Sequence, residues 1–284
     1  MSIRCQAVER GSWRADNGPI RCASNMTAMA APTPGVRVRR DGGVAWVTID
    51  RPPLNVFTIA LLGELEAALA ILQADQQLRL IVLEGAGRVF SAGVDIGEHM
   101  GDTLGPMLDA FARAAVCVLE GDVPVMAVVQ GAALGGACEL VALCDLAIVA
   151  DDAKIGVPEI ALGVVPPVAA AVFPAMVGRQ RAAALVLTGE PILGAEAAAW
   201  GLVWKSVPAE RLRAEAEAVA KTFEQKSAAG LRLARRSLRV GADGLAVAIA
   251  RANALSVEAI PRSPDAQEGL RAFLEKRPPR WTHR

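Results

Sequence analysis

The chain has 284 residues, more than half of them hydrophobic, and its 30 Lys and Arg balance 30 Asp and Glu. That is enough apolar material for one large core with an appended helical part. The neutral balance argues against general attraction to nucleic acid or membrane surfaces, and no apolar run reaches the roughly 18 residues of a membrane span. The five cysteines (Cys5, Cys22, Cys117, Cys138, Cys144) contain no CxxC pair. An odd number suits free thiols in a reducing cytoplasm better than a disulfide framework. Only His99 and His283 are histidines, and no motif supports a zinc site or a Ser-His-Asp triad. His99 reads as a loop or helix-start residue.

Residues 1–35 are rich in Gly, Ser, Asn, Pro, Thr, Arg and Ala without periodicity. They read as a disordered tail, with Met26 or Met29 as alternative starts. Gly43–Asp50 alternates and is rich in β-branched residues, which predicts a strand. Arg51-Pro-Pro-Leu-Asn-Val56 is a stiffened loop. Thr58 is placed to cap a helix running to about Gln73, with Leu61, Leu62, Leu65 and Leu69 on one face. Leu78–Glu84 is the next strand, followed by the Gly-rich loop Gly85–Asp95 and a helix near 103–119. Val123–Val129 is a continuous apolar strand of the kind buried on both faces, and Leu146–Ala150 is another. From about 178 onward the pattern is helical: 178–188, 194–200, 208–225, 227–240, 244–260 and 263–276. The alternation of buried strands and helices predicts an α/β fold with parallel pairing. The organisation expected is a tail (1–35), a catalytic core (36–205) and a helical C-terminal region (206–284). Cys138 and Cys144 read as core thiols in an apolar helix.

Glu139 and Glu159 are the chemistry-bearing residues. Each lies in an apolar or Gly-rich segment, Gly131–Asp145 and Gly156–Gly163. An unpaired carboxylate is costly to bury, and two in one poorly hydrated site divide acid and base roles by splitting their pKa values. The plainer reading of each is a helix cap or a salt-bridged structural Glu. Two Gly-rich turns, Ser91-Ala-Gly-Val94 and Leu134-Gly-Gly-Ala137, follow buried strands and precede helical sequence. Open amides at such turns stabilise a developing oxyanion. Gly85-Ala-Gly87 begins like a dinucleotide fingerprint, but Phe90 stands where the third glycine belongs.

Phe90–Ile96, Gly131–Asp145, Pro158-Glu-Ile160 with Gly163, and Asp265–Arg277 together make the chain resemble the crotonase, or enoyl-CoA hydratase/isomerase, superfamily over about residues 36–284. The resemblance implies a crotonase (ClpP-like) spiral of ββα units with a C-terminal helical trimerisation region, assembled as a homotrimer or a dimer of trimers. It implies an acyl-CoA substrate, with CoA arriving as part of that substrate and no metal or separate cofactor. The amides of Val94 and Gly136 would form the oxyanion hole, and Glu139 and Glu159 would flank the water. Val56, Ser91, Ala92, Gly93, Asp95, Gly135 and Pro158 would contact the CoA thioester, with the Ser91–Val94 loop cradling adenine and pantetheine. Phe273 and Lys276 would reach the nucleotide end of CoA, on this or a neighbouring subunit.

The chain departs from that pattern in two places. Gly97 stands where many relatives carry a basic residue. Val164-Val-Pro-Pro-Val-Ala-Ala-Ala-Val-Phe-Pro174 replaces a glycine-rich turn, which predicts a rigid apolar wall with Val168 and Phe173 beside Glu159. With the Arg51–Val56 loop, this looks like the branch hydrating cyclic dienoyl-CoA or branched methylglutaconyl-CoA-type substrates. Arg232, Arg235, Arg236 and Arg239 on one late helix read as a solvated or intersubunit face, with CoA-phosphate or nucleic-acid contact as alternatives. The expected activity is hydration of an α,β-unsaturated acyl-CoA. The alternatives are Δ3-Δ2-enoyl-CoA isomerisation through Glu159 alone, and a weakly catalytic acyl-CoA- or RNA-binding protein.

Overall fold

The computed structural model describes residues 35–240 and 244–283; the tail expected before residue 35, with Cys5 and Cys22, lies outside them. The first part of the chain runs β1 (Val36–Asp41), β2 (Val44–Ile49), α1 (Ile59–Ala74), β3 (Leu80–Gly85), α2 (Leu104–Glu120), β4 (Val125–Val129), β5 (Ala132–Leu134), α3 (Gly136–Ala142), β6 (Leu146–Ala150) and β7 (Lys154–Gly156). It continues through α4 (Pro167–Val177), α5 (Arg179–Thr188), β8 (Ile192–Leu193), α6 (Gly194–Trp200), β9 (Lys205–Val207), α7 (Leu212–Glu224), α8 (Ala228–Arg239), α9 (Leu245–Arg262) and α10 (Pro264–Leu274).

Among the described residues, the main sheet has the order β1-β2-β3-β4-β6-β9. Its first pair is antiparallel and the others are parallel. Every residue of β4 is buried, as its unbroken apolar run demands of a strand covered on both faces. β1 is the opposite case. Its sequence VRVRRD is almost wholly exposed, and charge on an edge strand discourages pairing with other chains. A smaller sheet, β5-β7-β8, stands beside the first. The loop after β3 and the β5–α3 segment after β4 both leave the carboxyl ends of parallel strands, where open α/β sheets form their ligand crevices.

Thr58 caps α1 as expected, its Oγ1 accepting from the Leu61 amide at 3.3 Å. The double proline behaves as its fixed φ requires: Pro166 is the extended residue before α4 and Pro167 opens the helix. Two expectations need correction. Cys144 lies beyond the end of α3 and is only half-buried, whereas Cys138 is buried within it. Two of the four arginines of α8 leave the solvated face expected of them, while Arg236 stays exposed. Arg232 and Arg235 are buried. Arg235 holds Asp145 through Nε at 2.7 and 2.8 Å and donates to the Val118 and Gly121 carbonyls. Arg232 donates to Gln73 O and Asp75 O, while Arg236 and Arg239 grip Asp122. The attraction is the carbonyl-rich, partially negative end of α1 and α2, which favours cations. The Arg236 and Arg239 guanidiniums hold Asp122 down to about 2.

α9 packs against α4 and α2, and α10 packs against α9 and the two 3-10 turns Ile96–His99 and Pro158–Leu162. The last approach is backbone to backbone. A Cβ on Gly269 would collide with the Leu162 carbonyl, and one on Gly163 would lie 3.0 Å from Asp265 O. A separate apolar cluster forms there from Leu104, Met107, Leu108, Val164, Ile260, Ala266 and Leu270.

Candidate active site

The loop after β3 is pinned from below. Buried Asn55 donates through Nδ2 to the carbonyls of Ala86, Val89 and Phe90. Buried Ser91 donates to Asn55 O at 2.7 Å, and its Oγ accepts from the Gly93 amide at 3.1 Å. The Ala92 amide goes to Leu54 O and the Asp95 amide to Phe57 O. Among the described residues this leaves the Val94 amide with no acceptor on the protein.

The second turn leaves another amide open. Gly135 donates to Gly156 O at 2.9 Å. It has φ 55° and ψ −132°, a conformation that needs glycine. Gly136 is then the first residue of α3, so its amide has no intrahelical partner. A Cβ on Gly136 would sit 2.7 Å from Val94 Cγ2. The two free amides therefore belong to turns in van der Waals contact, and glycine is what permits the approach.

The two carboxylates complete this corner. Glu139, in the first turn of α3, is 4% exposed. Its Oε1 accepts from the Ala169 amide at 2.8 Å. Ala169 lies in the first turn of α4, whose N-terminus no side chain of its own caps. Glu139 thus caps a distant helix, the plainer of the two roles the sequence allowed it. Glu159 sits on the 3-10 turn Pro158–Leu162, and a Cβ on Gly135 would lie 2.9 Å from its Oε1. Its Oε2 is buried without a hydrogen-bond partner. Burial pushes both carboxyls above the usual range. The Ala169 and Val168 amides offset part of this for Glu139, while the charge of Glu139 adds to it for Glu159. Like charges in a shared dry site do not ionise together easily, so the pair holds a proton to higher pH than an ordinary glutamate.

A cavity of about 80 Å3 opens on these groups. Ala92, Gly93, Val94, Gly135, Gly136, Glu139, Pro158 and Glu159 line it. Ile96, Met107, Leu108, Phe111, Leu162, Val164, Val165 and Ile260 supply apolar walls. The enoyl-CoA hydratase/isomerase family model matches residues 39–284. The chain belongs to this family.

Within the family, a probable enoyl-CoA hydratase of Mycobacterium tuberculosis is 37% identical over 88% of this chain and 98% of its own length. A cyclohexa-1,5-dienecarbonyl-CoA hydratase of Thauera aromatica is 34% identical over 88% of this chain and 96% of its own length. The crystal structure of an enoyl-CoA hydratase from Mycobacterium avium subsp. paratuberculosis superposes with a TM-score of 0.80 at 30% identity, covering 88% of this chain and all of that one. The crotonase fold and an enzymatic role in acyl-CoA metabolism follow from these likenesses.

Not every residue singled out in this enoyl-CoA hydratase/isomerase family member meets the cavity. Ser91 is spent inside the loop. Asp95 caps the Ile96–His99 turn, accepting from Gly97 N at 2.8 Å. Val56 lies on the segment that pins the loop, its carbonyl accepting from Arg51. Phe273 and Lys276 are exposed at the end of α10, away from the cavity lining. The wall beside Glu159 is built from Val164, Val165 and Pro167 rather than Val168 and Phe173. Pro167 starts a helix there, which turns Val168 and Phe173 into the main core.

Two lining residues escaped sequence reading. His99 ends the 3-10 turn after the Ser91–Val94 loop, and Ser256 comes from α9. A lone histidine carries no motif. Ser256 was detectable only as a small polar residue between Ile249 and Ile260, buried on the same helix face. Among the described residues no cluster of three or more His, Cys, Asp or Glu is placed to hold a metal ion, and no helix is long and apolar enough to cross a membrane.

Proposed function

We propose that the chain adds water reversibly across the conjugated double bond of a compact α,β-unsaturated acyl-CoA, cyclic dienoyl or branched. One observation carries the reading: two amides without protein partners, on turns in contact, stand beside two buried carboxyls of unequal surroundings. The thioester oxygen sits between the Val94 and Gly136 amides. Water attacks the β-carbon and passes its proton to Glu139. The π electrons move toward the thioester, and the two amides hold the resulting enolate oxygen, each donor contributing about 3 to 4 kcal/mol. The enolate collapses and its α-carbon takes the proton of Glu159. Proton exchange between the carboxyls resets the pair.

The surroundings support this division. Amide donors favour the ionised form of a carboxylate, and Glu139 has them. Glu159 Oε2 has no partner and a negative neighbour, which favours the protonated form needed in a general acid. No step uses a metal or a separate cofactor.

The small cavity and its preformed Val164–Pro167 wall suit a compact acyl group, because little ordering cost remains on binding. The likeness to the Thauera aromatica hydratase points the same way. Exposed Leu233 and Leu238 on α8, Val240 just after it, and Val247 and Leu255 on α9 are apolar area for subunit contact and support a homotrimer or a dimer of trimers. Phe273 and Lys276 take up the CoA nucleotide across that contact.

The test is a panel of enoyl-CoA thioesters (crotonyl, dec-2-enoyl, branched, cyclic dienoyl) followed by mass in 18O water. A kcat/KM for a cyclic or branched member at least about tenfold above crotonyl-CoA, or about 1.4 kcal/mol, is expected. Equal or better turnover of crotonyl-CoA rejects the substrate class. Double-bond migration without 18O uptake rejects hydration in favour of isomerisation.

A further inference from the structure

The cavity walls are apolar apart from the catalytic carboxyls and two neutral polar side chains, His99 and Ser256. His99 stands among Ile96 and Met100, which pack on the Leu104–Met107–Leu108 cluster. Its Nδ1 is 2.9 Å from the Asp95 carbonyl. A carbonyl only accepts, so Nδ1 carries the hydrogen and Nε2 carries the lone pair. Nε2 has no partner among the described residues, so it is the nitrogen left to meet a ligand. Burial lowers the His99 pKa, which keeps the ring neutral and the lone pair available at neutral pH. The Ser256 hydroxyl donates back to Ala252 O at 3.1 Å, so what it offers the cavity is also a lone pair. Both neutral polar groups on the walls are therefore acceptors, and of the two only His99 Nε2 makes no hydrogen bond to the described residues.

We propose that His99 is a specificity residue whose Nε2 accepts a hydrogen bond from a hydroxyl group on the acyl portion of the substrate. The proposal rests on the acyl-CoA reading above and narrows it to hydroxylated acyl groups. His99 takes no part in the water addition. A site that hydrogen-bonds a substrate hydroxyl rejects the analogue lacking it more strongly than an apolar pocket rejects an extra methylene.

The experiment measures binding rather than turnover, so it stands apart from the hydration assay. Two isosteric pairs of thioesters that cannot be hydrated serve as probes: 4-hydroxybutanoyl-CoA against pentanoyl-CoA, and 4-hydroxybenzoyl-CoA against 4-methylbenzoyl-CoA. Dissociation constants are measured by calorimetry at neutral pH for the full-length protein, His99→Leu and His99→Gln. The wild type should prefer the hydroxyl member of at least one pair by about tenfold, the scale of one well-made hydrogen bond. His99→Leu should bring that ratio to about one or below, and His99→Gln, which keeps an acceptor, should restore part of it. Equal affinities within both pairs in the wild type overturn the proposal, as does a preference that survives His99→Leu. Glutaryl-CoA binding more tightly than either hydroxyl probe also overturns it, because a carboxylate would require a donating, charged imidazole. Failure of 18O uptake with every enoyl-CoA would reject the hydratase reading and leave these ratios to judge His99.

Discussion

Glu159→Gln should make the protein more stable as pH rises, while removing most of its activity. In the native chain this carboxyl has a buried oxygen without a partner and a negative neighbour in Glu139. Its pKa lies above that of a glutamate in the unfolded chain, about 4.3. The stability it contributes is therefore fully present below the unfolded value and is lost as pH climbs toward the raised folded value. In that window the folded protein binds one proton that the unfolded chain has released. Stability then falls by about 1.4 kcal/mol per pH unit. Between about pH 5.5 and 7.5 this amounts to about 2.7 kcal/mol. Glutamine is isosteric and does not titrate, so the variant escapes the loss and relieves Glu139 of a like charge. For a chain of this size, 1 kcal/mol moves Tm by about 2–4 °C. Calorimetry at about pH 5.5, 6.5 and 7.5 should thus show the variant's Tm advantage growing by about 5–10 °C across the series. Parallel profiles for the two proteins would refute the reasoning, because they would mean that Glu159 is hydrated or paired in the folded state.

Glu139→Gln and Glu159→Gln should each lower kcat by at least about 10²-fold with little change in acyl-CoA affinity, as read by steady-state kinetics; near-normal turnover removes that residue from the proton transfers. Gly136→Pro in a Val94→Ala background deletes one of the two amides proposed to hold the enolate oxygen while clearing the 2.7 Å contact that any Cβ there would make with Val94. It should cost at least about 10² in kcat relative to Val94→Ala alone, and a smaller loss means the donor lies elsewhere. Arg235→Ala takes the cation from Asp145, which keeps only the Val125 amide, and the side-chain donor from the buried Val118 carbonyl, while Arg239 still donates to Gly121 O. It should destabilise the fold by about 3–5 kcal/mol in urea titrations, whereas a solvent-face arginine would cost under about 0.5 kcal/mol. Ser91→Ala removes the bonds to Asn55 O and from Gly93 N. It should lower stability by about 1–3 kcal/mol and reduce kcat more than it raises KM, because the loop that presents the Val94 amide loosens; unchanged kcat would separate the loop's pinning from catalysis.

The carboxylates were legible in the sequence because charge inside an apolar run has few explanations. The strands β4 and β6 were legible because burial on both faces leaves an unbroken apolar signature, and β2 because it alternates and is rich in β-branched residues. β1 was not, since an edge strand written VRVRRD has the composition of a loop. Strands of two or three residues, such as β8 and β9, are too short to show a period. α4 was hidden by Pro166, Pro167 and Pro174, which read as interruption although Pro167 stands at the first helical position. Arg232 and Arg235 were misread for a different reason. Nothing local shows that the carbonyl ends of α1 and α2, more than 100 positions earlier, will be brought beneath them. Glu139 was read for its chemistry, yet its second duty at the end of α4 depends on a packing that only the folded chain displays.

The contact of α10 with the turn carrying Glu159 has a consequence for how the chain tolerates damage. Leu162 and Gly163 lie against the backbone of residues 265–269 with no side chain between them. Such a seam has no slack: a methyl group on Gly269 would lever the turn away, and a proteolytic nick at the start of α10 would release it. Glu159 could then swing toward water and ionise like any surface glutamate. An enzyme clipped near residue 264 would be expected to bind CoA esters through the pinned loop yet no longer return a proton to carbon. Lesions far along the sequence would thus mimic the loss of a single carboxyl group.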